Sequence, residues 1–181
     1  MAHKDRDPDA RAVNVRALCQ EAATLQGRWP LSTLTRLAQS LFEPPTGDVT
    51  WAATGQEVPA PGGEPELWME LQAHATVTLQ CQRCLKAVRQ ALAVDRRLRF
   101  ARSEQEAEKL DEDLEEDVLA LQPRLDLRDL AEDELILALP LVARHEGTCP
   151  EPLPQPAADD TAGEPPAANP FAALAALKGR N

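Results

Sequence analysis

The chain has 181 residues, with 30 acidic side chains against 19 basic ones and a net charge of −11. That balance excludes a general nucleic-acid coat, which needs a basic surface. The length suffices for one domain with its own core, though only three Trp and three Phe are available to fill it.

Residues 1–12 are polar and irregular and read as a disordered tail, without the apolar segment of a signal peptide. No run of about eighteen apolar residues follows, so the expected location is cytoplasmic. Val13, Val15 and Ala17 alternate with Asn14, Arg16 and Leu18 and suggest a short strand. Gly27 and Pro30 mark a turn. Ser32 is placed to cap a helix with Leu34, Leu37, Ala38 and Leu41 on one stripe, ended by Pro44-Pro45. Val49, Trp51 and Ala53 alternate as a second strand, and the proline-rich stretch 54–65 reads as a loop.

The clearest strand comes next. Leu67, Met69, Leu71, Ala73, Ala75, Val77 and Leu79 fall on one face, with Glu70, Gln72, His74, Thr76, Thr78 and Gln80 opposite. Period-two order over so many residues does not fit a helix. After Cys81-Gln82-Arg83-Cys84, residues Val88, Leu92, Val94, Leu98 and Phe100 again share parity. Two long alternating runs joined by a short turn predict an antiparallel hairpin with the cysteines at its tip.

Charge is segregated along this part of the chain. Arg83 to Arg102 holds seven bases against one acid, whereas Glu104 to Asp117 holds nine acids against one base. Arg83, Arg89, Arg97 and Arg99 have the parity that points away from the core, which makes them candidates for phosphate contact. The plainer alternative is that both runs are solvated or neutralise each other. Asp126 is placed to cap a helix running to about Leu139, with Leu127, Leu130, Ala131, Leu137 and Ala138 buried, and Pro140 stops it. Pro-rich, acidic residues 150–168 read as a linker. Asn169-Pro170 then starts a short amphipathic helix over 169–181, whose Phe171, Leu174 and Leu177 would dock on the domain or meet a partner.

Cys-x-x-Cys lets two thiolates face one tetrahedral ion, and it also suits a redox pair. The distant His145 and Cys149, four apart, offer a second half-site, so Cys81, Cys84, His145 and Cys149 form a candidate ligand set for one structural zinc. The redox alternative is the weaker one, because redox pairs sit at a helix N-terminus and this knuckle lies between strands. Cys19, in an alternating segment, reads as an ordinary buried cysteine. No Ser-His-Asp order, glycine-rich phosphate loop or zinc-protease motif is present, so no catalytic residue is assigned and no enzyme is expected.

Together these pieces give an α+β fold: an antiparallel sheet built around a long hairpin, flanked by helices, in a single domain over 13–149. CQRCLKAV after an alternating strand, DLRDLAEDELILALPLVARHEGTC, and the terminal NPFAALAALKGR resemble the YceD family, the large ribosomal RNA subunit accumulation proteins. The resemblance implies a non-enzymatic cytoplasmic ribosome-biogenesis factor supporting accumulation of 23S ribosomal RNA. Its implied partners are large-subunit RNA or its precursor particles, met directly or through ribosomal proteins, with no membrane or small-molecule substrate. Some branches follow the helix with Gly-Leu-Cys-Pro-x-Cys-Gly. Here Gly147-Thr148-Cys149-Pro150 keeps the first cysteine, and Pro152 stands where the second belongs. Either His145 supplies the fourth ligand, or this branch has lost the metal and its cysteines are packing groups. Two other functions stay open: a protein-only adaptor whose acidic segment binds a basic partner such as a ribosomal protein, and, less favoured, a thiol oxidoreductase. The absence of Tyr and of clustered strand aromatics removes the stacking platform that reads unpaired bases.

Overall fold

The structure, a computed structural model, describes residues 10–113 and 117–150. The expected linker and the terminal helix with Phe171, Leu174 and Leu177 lie outside the described residues. Five strands form one sheet in chain order: β1 (Thr24–Pro30), β2 (Asp48–Val58), β3 (Glu66–Gln80), β4 (Ala87–Ala101) and β5 (Asp117–Ala120). The first four are antiparallel neighbours, and β5 joins parallel to β4. The helices are α1 (Val15–Gln20), α2 (Thr35–Gln39), α3 (Glu104–Asp113) and α4 (Leu127–Leu137). The α+β fold organised by a long hairpin is the one expected from the sequence.

The β3–β4 hairpin carries the core. Its register runs from Leu67 opposite Phe100 to Gln80 opposite Ala87. Met69, Leu71, Ala73, Val77, Leu92, Val94 and Leu98 all turn to the side covered by helices and are buried there. Burying each large aliphatic side chain contributes about 1.5–3 kcal/mol, which makes this face the main source of stability. The other face is open, with Gln72, His74, Thr76, Ala91 and Ala93 exposed. Trp68 is the exception on that side: it is buried beneath the guanidinium of Arg97, 4.2 Å from the ring centroid, with Arg99 at 5.9 Å.

Several elements differ from the sequence expectation. Residues 15–20 are helical rather than extended. Asn14 accepts from the Ala17 N–H, and Val15, Leu18 and Cys19 make a buried stripe. Only Val13 pairs as a strand, with Leu125. The turn expected at Gly27–Pro30 is strand β1. Gly27 lies under the Trp51 ring, and a Cβ there would sit 3.1 Å from it. Trp51 also stacks on Trp29 at 4.5 Å. Strand β2 runs past Ala53 into the expected loop, because Gly55 lets the α1 backbone approach. A Cβ at Gly55 would come within 2.6 Å of the Leu18 carbonyl. The acidic run is a helix, α3, up to Asp113. Leu137 is 75% exposed instead of buried, and Leu135 takes the inward position. Leu141 and Val142 beyond it are exposed as well. Ala10, read as tail, is buried, and its carbonyl accepts from Leu127 N–H.

The expected Ser32-capped helix is divided between a 3₁₀ turn at Leu31–Thr33 and α2. Helix α2 has no side-chain cap of its own. Glu132, on α4 and only 6% exposed, supplies one: Oε1 accepts from the N–H groups of Arg36 (2.6 Å) and Leu37 (3.0 Å). Oε2 accepts from Arg36 Nε at 3.2 Å, and Arg36 also binds Asp129 and Asp133. A carboxylate placed at the first turn satisfies orphan donors and meets the helix dipole. Removing it strands two N–H groups. Glu132→Ala should therefore lower the unfolding free energy by about 3 kcal/mol, and Glu132→Gln by about half that, read as shifts in urea midpoint at constant slope.

Candidate metal centre

The hairpin tip spans residues 81–86 and is fixed by its own backbone. Cys81 N–H donates to Lys86 C=O (2.9 Å), and Leu85 N–H returns to Cys81 C=O (2.8 Å). Leu85 closes this turn in the left-handed region, at φ +59°. The turn aims both Cys81 and Cys84 inward, where they are buried.

The second half-site arrives on the segment after α4. Gln82 N–H donates to Ala143 C=O at 2.8 Å, joining that segment to the tip. Arg83 Nη2 then donates to the carbonyls of His145 (2.6 Å) and Gly147 (2.7 Å). Gly147 bends the chain at φ +67°, a conformation that a side chain would strain, and brings Cys149 back toward Cys81.

Four ligand atoms converge as a result. Cys81 Sγ lies 3.9 Å from Cys149 Sγ, and Cys84 Sγ lies 3.6 Å from His145 Nδ1. All four fall within 4.8 Å of one another. With metal–sulfur bonds of about 2.3 Å and metal–nitrogen bonds of about 2.0 Å, a tetrahedral zinc site has edges of about 3.8 Å (S–S) and 3.5 Å (S–N). The spacing fits. His145 Nε2 lies 3.0 Å from Ala87 C=O, so Nε2 carries the proton and Nδ1 presents its lone pair to the cluster.

The thiols are electrostatically unequal. Burial pushes the Cys81 thiol up, but the backbone N–H groups of Arg83, His145 and Cys84 outweigh it and hold the pKa at about 5. Burial, with hydrogen bonds to Cys84 and Cys81, raises Cys149 to about 11. A preformed thiolate is what a cation needs, and it is also what a redox centre needs. Burial of Cys81, Cys84 and Cys149 bars an external thiol from them, and the imidazole converging with the three thiols favours a cation.

The four residues expected from sequence are thus brought together, and Cys19 is not among them. Cys19 is buried elsewhere, with its thiol 3.2 Å from the Trp68 carbonyl and its pKa raised by burial. Sequence reasoning missed what orients the site. Nothing local marks Ala87 C=O as the partner of His145, or Arg83 as the strap on the His145–Gly147 loop. Among the basic candidates, Arg99 pairs with Glu66 at 2.7 Å and is half-buried, and Arg97 covers Trp68, opposite Glu70 in the register. Arg89 is exposed opposite Thr78.

The left-handed Leu85 adds a testable cost, since a side chain in that region is disfavoured by about 1–2 kcal/mol. Leu85→Gly should raise the melting temperature or leave it unchanged, whereas Leu85→Val, β-branched at the same φ, should lower it.

No solved structure matches the chain. The family model for the large ribosomal RNA subunit accumulation protein YceD matches residues 69–178. That match takes in the β3–β4 hairpin from Met69 onward, the Cys-x-x-Cys tip, α4 and the His145–Cys149 segment, and it covers more than half of the sequence. The chain therefore belongs to the YceD family of large ribosomal RNA subunit accumulation proteins.

Proposed function

We propose that this protein supports the accumulation of 23S ribosomal RNA as a binding factor rather than an enzyme, with its hairpin tip held by one structural zinc. Family membership carries the role, since the family is described by large ribosomal RNA subunit accumulation. The convergence of Cys81, Cys84, His145 and Cys149 carries the zinc. Three thiols, an oriented imidazole and burial make a closed four-ligand set, which suits a structural ion rather than one with an open position for substrate. The ion would join the hairpin tip to the segment after α4.

RNA contact, in this proposal, falls on the open strand face. Arg89 and Arg97 are exposed there and could meet phosphate. Arg83 and Arg99 have intramolecular partners and serve chiefly to hold the tip and to cover Trp68. With no aromatic platform, contact is with the backbone rather than with bases.

Elemental analysis of the purified protein should find one zinc per chain. Cys84→Ser should lose both the metal and thermal stability, and a metal-free wild type would end the zinc assignment. Cells lacking the protein should accumulate less 23S RNA, and the protein should co-sediment with large-subunit precursors. Unchanged 23S levels would refute the role itself. Arg89→Glu should weaken RNA retention severalfold at unchanged fold, with a reduced salt dependence. Arg97→Glu and Arg99→Glu should instead each destabilise the domain by about 1–2 kcal/mol, the first by uncovering Trp68 and the second by unpairing Glu66 as well.

A further inference from the structure

A groove of about 440 Å³ runs between α3 and α4, with β5 along its floor. Its floor is apolar, made by the half-buried Val118, Leu119, Leu125 and Leu130. Its walls are acidic. Glu104, Glu108 and Asp111 line it from α3, and Asp126, Asp129 and Asp133 line it from α4 and its cap, with no cation among the described lining residues. The three on α3 stand at i, i+4 and i+7, so one helical face presents three exposed carboxylates to the groove. Like charges at that spacing weaken a helix. On α4 the acids are already engaged: Asp129 and Asp133 bind Arg36, and Asp126 caps the helix.

The floor has a second property. Among the described residues β5 ends the sheet, with β4 on one side and no strand on the other. A sheet edge offers backbone donors and acceptors to an added strand. It thus combines edge hydrogen bonding, apolar seats and a row of exposed carboxylates on α3. We infer that this groove binds an extended, lysine- and arginine-rich protein segment with alternating apolar side chains. Such a segment would pair with β5, set its apolar residues on Leu119 and Leu130, and place its cations against Glu104, Glu108 and Asp111. Charge complementarity selects this occupant: RNA would be repelled, and an acidic or neutral strand would leave the α3 carboxylates uncompensated. The inference rests on the proposed ribosome-biogenesis role only for its setting, and it names protein rather than RNA as what this face meets.

The test uses the full chain and a fluorescein-labelled peptide of alternating lysine and valine, about twelve residues long, followed by anisotropy in low and moderate salt. The wild type should bind it. Glu104→Gln with Glu108→Gln and Asp111→Asn should weaken binding about tenfold, while Thr76→Ala, on the open strand face, should leave it unchanged. A peptide of the same composition, with its lysines and valines in two blocks, should bind more weakly. Equal binding of the two peptides would reduce the effect to bulk charge attraction and overturn the groove. So would full affinity in the triple variant. Amide shift mapping on the wild type checks the site without any variant: shifts confined to 104–111, 118–120 and 125–133 support it, and shifts confined to the open strand face refute it. Because 23S levels are not the readout, a failure here is separable from a failure of the ribosomal role.

Discussion

Register in the β3–β4 hairpin is the constraint on which the other features stand. Because side chains alternate, a slip of β4 by one residue would turn Leu92, Val94 and Leu98 to solvent and bring Arg97 inward. The same register sets Arg97 and Arg99 over Trp68, and it places Ala87 where its carbonyl can hold His145. A single pairing frame therefore fixes the core, the cover of the lone buried tryptophan on the open face, and the orientation of a candidate ligand. The hairpin tip does not choose that frame alone. The burial of a long apolar set on one face does.

What the sequence revealed follows from where each element's information lies. The alternation of 67–79 and 88–100 is local, so β3 and β4 could be read directly. The Cys-x-x-Cys spacing and the later His-x-x-x-Cys are local too, which made all four candidate ligands visible. Other elements depend on distant partners. β1 contains Gly27 and Pro30, both turn signals, yet its small glycine is what admits the Trp51 ring. α1 looks extended until Asn14 is seen to cap it. α2 is closed by Glu132, far away in sequence, and no pattern near Ser32 could announce that. Arg83 shows the same limit at the site. Its charge suggested phosphate, but two backbone carbonyls brought near by Gly147 claim it instead.

Charge segregation along the chain becomes a spatial division. Much of the basic run lies on β4, where Arg96 reaches Asp117 and Glu134, and Arg99 reaches Glu66. Much of the acidic run forms one wall of the α3–α4 groove. Surface pairs of this kind contribute little stability each, so their arrangement matters more for which partners are admitted than for folding. A net charge of −11 is thus compatible with one face that tolerates phosphate and another that repels it.

The convergence of Cys84 and His145 also bears on the unfolded chain. These residues are 61 positions apart, and β4, α3, β5 and α4 all lie between them. An ion bound at both ends would close that stretch into a ring, and ring closure of this size removes about 4 kcal/mol of conformational freedom from the unfolded ensemble if the link outlasts the fold. The domain would then draw part of its stability from limiting its disorder. That would suit a chain with only six aromatic residues with which to fill a core.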